Sequence, residues 1–243
     1  MHQELEKLEL LVGDEGLELL SAATVTVLGV GGVGSACAMA LARAGVGHLV
    51  FVDGDVVSQT NLNRQVIAFR STLGQKKVQV LGRMVADVSP DIEVRTIDRF
   101  VTPDDVPRLL DERCGRVVDS LDTDATKLAV AEHCERHDIP LVSSMGAGKK
   151  FQPELLEFAD IYDTSVCPLC KVIRREARSR GIEHLRVLYS RETPVHVEAE
   201  PGAARSERTD LGTVSYMPVI MGNMLAADVI CHLLGIARPA DRR

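Results

Sequence analysis

TVTVLGVGGVGS (24–35) reads as a buried strand that runs into a glycine turn and the first turn of a helix. Its β-branched, mostly apolar start suits an inner strand of a parallel sheet, covered on both faces. Gly29, Gly31 and Gly34 then fall in GxGxxG spacing around Gly32, which lets backbone N–H groups and a helix N-terminus approach a polyphosphate closely. After a helical stretch comes HLVFVDGD (48–55), whose strand ends at Asp53, where the ribose of a bound nucleotide would lie. Taken alone, this pattern most often marks a dinucleotide cofactor.

NLNRQ (61–65) and LGQKKVQV (73–80) change that reading. Asn61, Asn63, Arg64 and Gln65 form a polar loop, and Lys76 and Lys77 stand at a helix start. A hydride-transfer site needs an open slot for nicotinamide. A site that breaks the bond between the α- and β-phosphates needs cationic donors to hold the departing pyrophosphate. Arg64 and Lys77 suit the second task when read with the glycine turn and Asp53; read singly, each is an ordinary solvated surface charge.

A carboxylate follows in VVDSLDTDATK (117–127), where Asp122 falls at the C-terminal end of a strand, the edge at which open parallel sheets bind ligands. Magnesium takes oxygen ligands and needs only one or two protein carboxylates beside substrate phosphates, so Asp122 is a candidate ligand. The alternative is an N-cap for DATKLAVAEHCERH (124–137), a role also open to Thr123 or Asp124. Asp119, inside the strand, carries no assignment.

GVGGVG, the DGD strand end, NLNRQ and GQKK together resemble the adenylating domain shared by ubiquitin-activating enzymes and the bacterial ThiF/MoeB/HesA proteins. The resemblance implies a carboxylate substrate that attacks the α-phosphate of ATP, giving an acyl-adenylate and pyrophosphate. It implies nucleotide contacts from Gly29, Gly31, Gly32, Gly34, Asp53, Asp55, Asn63, Arg64, Gln65 and Lys77. Within that set, Gly31 and Gly32 approach the phosphates, Asp53 holds the ribose, and Asn63, Arg64 and Lys77 contact phosphates. Asp122 matches the family's magnesium-associated acid, so ATP and Mg2+ are the expected cofactors and Arg64, Lys77 and Asp122 the expected catalytic residues.

MGAGKKFQPELLEFADIYDTSVCPLCKVIRREARSRGIEHLRVLYSRETP (145–194) and LGTVSYMPVIMGNMLAADVICHLLG (211–235) are similar to the tRNA threonylcarbamoyladenosine dehydratase branch of that family. This resemblance implies a tRNA substrate whose threonyl carboxylate is adenylated, after which the carbamoyl oxygen displaces AMP and closes an oxazolone ring. Such a tethered nucleophile needs little covalent help from the protein. A homodimer and a cysteine desulfurase or sulfur-acceptor partner also belong to what the resemblance implies. One departure stands out: relatives carry an Arg before a LYG-like element that reaches the ATP phosphates, and ELLVGDEG (9–16) has none. That raises a divergent substrate or reduced activity.

The 243 residues and 45% hydrophobic content suit one adenylating domain over 1–243, with a nucleotide-binding core in 1–145 and a C-terminal substrate and dimer elaboration in 146–243. Apolar runs near 24–30, 48–53, 92–98, 116–121 and 139–144 alternate with amphipathic stretches near 33–45, 74–88, 104–113 and 123–137. That alternation predicts an α/β, Rossmann-like doubly wound fold: a mainly parallel sheet with helices on both faces. Residues 3–21 are expected to form helices packed on the core or on a partner subunit, and VHVEAEPGAARSERTD (195–210) is expected to be a mobile linker. No apolar run approaches the ~20 residues needed to span a bilayer, and the acidic MHQELEKLEL start is unlike a secretory signal. Six cysteines in a chain this large read as reduced thiols, so the expected location is cytoplasmic, away from any membrane.

Cys167 and Cys170 form a CPLC pair that invites a zinc reading, but a structural zinc site wants four ligands and no second CxxC follows. His184, His196, Cys231 or a second subunit would have to complete it; a thioredoxin-like redox pair would need a different surrounding fold, and otherwise the pair is structural or incidental. Cys37, Cys114, Cys134 and Cys231 read as packing material. A formal net charge of −7 fits poorly with nucleic-acid binding, and the absence of Trp argues against an extended base-stacking platform. Local charge runs the other way: Lys171, Arg174, Arg175 and Arg178 share a helical face that is either a tRNA contact or a solvated surface. Three hypotheses follow. They are a tRNA-modifying dehydratase, an enzyme that adenylates the C-terminus of a ubiquitin-like sulfur carrier, and a nicotinamide-dependent oxidoreductase or non-catalytic nucleotide binder.

Overall fold

The computed structural model describes residues 3–111, 113–196 and 212–237. Among them seven strands, β1 (Thr24–Leu28), β2 (His48–Val52), β3 (Glu93–Ile97), β4 (Arg116–Asp119), β5 (Leu141–Ser144), β6 (Leu156–Asp160) and β7 (Arg186–Ser190), form one sheet in the order β3-β2-β1-β4-β5-β7-β6. All pairings are parallel except that of β6 with β7 at the edge. The chain moves outward from β1 to β3, returns to β4 and moves out the other way. This reversal opens a crevice at the C-terminal ends of β1 and β4, the usual ligand edge of such sheets. The register pairs Leu28 with both Val52 and Asp119, so the glycine turn, Asp53 and the turn after Asp119 meet at that edge.

The helices are α1 (Glu6–Ala22), α2 (Gly32–Arg43), α3 (Lys77–Val88), the single turn α4 (Val106–Leu109), α5 (Asp124–Arg136), α6 (Pro168–Ser179) and α7 (Tyr216–Leu233). Alternate strand residues point to opposite faces. Val25, Val27, Val118, Val142 and Leu188 pack with α2, α3 and α7, whereas Val117, Val187 and Tyr189 face the α4, α5 and α6 side. The doubly wound, mainly parallel expectation therefore holds, with helices on both faces.

Helix α7 has the length and composition to cross a membrane. Its Met217, Met221, Leu225 and Val229 are nonetheless buried at four-residue spacing, and its Gly222 lies against α2, where an added Cβ would stand 2.3 Å from Val33 O. Helix α1 is broken at Gly13, which adopts φ +67°, and it carries Leu10 and Leu11 at 80% and 83% exposure.

Two differences from the sequence reading concern element length. The helix expected at 104–113 is a 3-10 turn over Pro103–Asp105 followed by α4, because the chain must reach β4 through Gly115 at φ +61°. Strands β6 and β7, not anticipated in the C-terminal elaboration, extend the sheet beyond β5. From residue 197 the expected linker lies outside the described residues.

Candidate active site

Gly29 leaves β1 at φ +79° and donates its N–H to Val52 O at 2.8 Å. A Cβ on Gly34 would lie 1.8 Å from Gly29 O and 2.5 Å from Ser120 Oγ, so the helix can begin this close to the strand only with glycine there. Gly31 differs, since its nearest neighbour would be Gln65 Nε2 at 3.7 Å; it faces open space at the head of α2. Gly32 faces Pro218 at the start of α7, with an added Cβ 2.9 Å away, so helix packing also requires its small size.

Asp53 ends β2 with its carboxylate turned into the glycine turn. One oxygen accepts from the Val30 amide and the other from the Asp55 amide, each at 2.8 Å. The acid read as a ribose ligand thus also fastens the loop, and each carboxylate oxygen keeps a further lone pair for a hydroxyl.

The two lysines of GQKK part company. Lys77, only 5% exposed at the first position of α3, places Nζ 2.8 Å from Asp55 Oδ2, while Lys76 turns to Asp98 at 3.0 Å. Arg64 donates to Thr60 O and Asn63 Oδ1 at 2.8 and 2.9 Å, and Asn63 reaches Thr213 O at 3.0 Å. Gln65 is 8% exposed, and its Oε1 is, among the described residues, the buried side-chain polar atom without a hydrogen-bond partner. Buried acceptors are almost always paired, so an orphan beside Gly31 marks a place for a donor.

Asp122 stands in the turn between β4 and α5, open to water but enclosed on its inner side. That crowding strips hydration and raises its carboxyl pKa; Lys127 opposes the shift, Asp119 adds to it, and Lys77 and Arg64 act on it from across the crevice. Beneath it lies a network that sequence reasoning missed. Asp119 Oδ2 accepts from Lys127 Nζ at 2.9 Å and Ser143 Oγ at 2.6 Å, and Lys127 also donates to Ser144 O at 2.8 Å. Asp119 Oδ1 accepts from the Leu121 amide at 3.0 Å, which sets the turn carrying Asp122. The visible signal was an acid within a strand, which is tolerable only with a buried cation nearby.

The basic face of α6 does not survive as one surface. Arg174 is half-buried and donates to Thr164 O at 2.6 Å and Thr164 Oγ1 at 2.7 Å, so part of its guanidinium is engaged within the protein. Lys171, Arg175 and Arg178 remain exposed, with Arg175 paired to Glu176 at 2.7 Å and Arg178 stacked 5.1 Å from the Tyr162 ring. Cys167 and Cys170 are not joined in a disulfide, and no group of three or more metal-ligating side chains occurs among the described residues of the chain.

Glycine turn, ribose-edge acid, paired cations and a crevice carboxylate converge on one sheet edge, as a nucleotide-activating site requires. The tRNA threonylcarbamoyladenosine dehydratase of Bacillus subtilis (strain 168) is 38% identical over 235 residues, covering 93% of this chain and 92% of that protein. The Escherichia coli (strain K12) enzyme of the same name is 37% identical over 169 residues, covering 70% of this chain and 63% of that protein. Among solved structures, E. coli tRNA N6-threonylcarbamoyladenosine dehydratase, TcdA, in complex with ATP matches with a TM-score of 0.86 at 29% identity, over 96% of this chain and 94% of that one. A ThiF family model matches residues 4–243, and the chain belongs to the ThiF family.

Proposed function

We propose that this protein adenylates the threonyl carboxylate of threonylcarbamoyladenosine in tRNA with ATP and cyclises it with loss of water, releasing AMP and pyrophosphate. The observation that carries the reading is the pair Arg64 and Lys77 opposite Asp122 at the head of the glycine turn. A carboxylate oxygen attacks the α-phosphorus, and the α–β bridging oxygen leaves with pyrophosphate. Lys77 Nζ uses one of its three donors on Asp55, leaving two for phosphate oxygens. Arg64, swung from its Thr60 and Asn63 acceptors, supplies a second cation. Asp53 and Gln65 accept from hydroxyl or amine donors of the nucleoside.

Asp122 and the phosphates suit magnesium, which when bound would neutralise charge building on the departing pyrophosphate. In the second step the tethered carbamoyl oxygen attacks the acyl carbon and AMP departs, so proximity replaces a protein nucleophile. That chemistry uses no sulfur, and a desulfurase or sulfur-acceptor partner would act outside it. Lys171, Arg175 and Arg178 are the tRNA-facing cations of this reading. A homodimer would cover Leu10 and Leu11 and the apolar groove of about 500 Å³ between α1, α2 and α7. A tRNA substrate puts the activity in the cytoplasm.

The test is incubation with ATP, magnesium and threonylcarbamoyl-modified tRNA, then mass spectrometry of the nucleosides. Loss of one water with stoichiometric AMP is expected. An inert tRNA, with pyrophosphate exchange stimulated by a Gly-Gly-ended carrier protein, would overturn it.

A further inference from the structure

The CPLC pair takes no part in that reaction, and its surroundings are unlike those of the other cysteines. Burial pushes the thiols of Cys37, Cys114 and Cys134 up, that of Cys134 to about 12, which leaves them inert. Cys167 and Cys170 are buried as well, at 4% and 0% exposure, but Cys167 is the N-cap of α6 and Cys170 lies in the same first turn. Residues three apart on a helix have Cα atoms about 5 Å apart, within the range a disulfide spans. The Cys170 thiol and the amides of Leu169 and Cys170 act on the Cys167 sulfur. The thiol contact from Cys170 outweighs burial and, helped by Lys150, brings Cys167 down to about 6, while Cys170 is pushed up.

Lys150 is the second half of the arrangement. It is 3% exposed, its Nζ donates to Gly146 O at 2.6 Å, and no carboxylate lies within ion-pair distance of it among the described residues. Its charge acts on the sulfurs of both Cys167 and Cys170. Val166, directly before the pair, is exposed and held at φ +61°, a conformation that strains a β-branched residue and recurs at functional sites. Leu169 lies 3.9 Å from the Cβ direction of Gly146, which couples the pair to the loop after β5 at the crevice edge.

We propose that Cys167 and Cys170 are an oxidant-sensitive dithiol that closes an intramolecular disulfide on reaction with a small hydroperoxide. The Cys167 thiolate attacks the peroxide O–O bond, giving a sulfenic acid and, with one proton, an alcohol or water. The Cys170 sulfur then attacks the sulfenic sulfur; its proton leaves with the hydroxyl as water. Two electrons pass from the thiols to the peroxide.

The full chain is titrated with hydrogen peroxide, alkylated with iodoacetamide and digested with trypsin, which isolates residues 151–171 as one peptide. That peptide is expected to lose two hydrogens, reversibly with dithiothreitol, at doses that spare Cys37, Cys114 and Cys134. In Cys170→Ser the reaction stops at a dimedone-trappable sulfenic acid, and in Lys150→Met alkylation of Cys167 at pH 7 slows about tenfold. Wild-type Cys167 alkylating no faster than Cys231, or oxidising to sulfinic acid with no disulfide, would overturn the proposal without reliance on either variant.

Discussion

At Arg64 and Lys77 the account stands on charge rather than covalent chemistry. Truncating either to alanine is expected to cut ATP–pyrophosphate exchange about 100-fold, the usual loss for one transition-state donor, with little change in melting temperature; near-normal exchange in both variants would reject their roles. Asp122 gives a sharper test because function and stability oppose each other there. Its folded carboxyl pKa lies above the ordinary value, so ionisation burdens the fold. That burden is absent at pH below the unfolded value, sets in as pH rises through the folded one, and is full at neutrality. Asp122→Asn should therefore melt higher than wild type at pH 7 without nucleotide, lose the advantage towards pH 3, and show weakened magnesium dependence of exchange. An unchanged melting difference across that range, or an unchanged magnesium titration, would count against the assignment. Glycine spacing and the acid at a strand end are local signals, so Gly29, Gly34 and Asp53 could be read directly. The partnership of Asp119 with Lys127 and Ser143 could not, because it joins two strands and a helix that only the folded sheet brings together.

Elements show the same division between local and tertiary information. Strands β1, β2, β4 and β5 are short apolar runs between helical stretches, and their positions were legible to within a few residues. LEFAD (156–160) and RVLYS (186–190) were not, since the first is an edge strand with two acids and the second a five-residue run beside a basic helix. The contact of α2 with α7 depends on Gly222, and Gly222→Ala is expected to cost about 2–3 kcal/mol through overpacking, lowering the melting temperature by roughly 5–10 °C; an unshifted transition would show that the helices have room to part. On α6, charge reversal at Lys171, Arg175 and Arg178 should weaken tRNA binding and flatten its salt dependence without destabilising the fold. Arg174→Glu should instead unfold the Ile161–Thr164 turn, seen as a lower melting temperature. Identical salt slopes for wild type and the triple variant would remove the helix from the tRNA interface.

Across the whole molecule, the topological reversal between β1 and β4 gathers loops from distant parts of the chain into one crevice: the glycine turn at 29–34, the polar loop at 61–65, the start of α3, the Asp122 turn and the segment leading into α7. Each contributes backbone amides, cations or a carboxylate, and none contributes a required nucleophile, so the fold acts by holding a triphosphate and an acid in line. An oxygen label follows that claim directly. With both threonyl carboxylate oxygens of the modified tRNA carrying oxygen-18, AMP is predicted to leave with one labelled oxygen and the cyclised nucleoside to keep the other. Unlabelled AMP, or label appearing in pyrophosphate or inorganic phosphate, would contradict attack of the carboxylate on the α-phosphate.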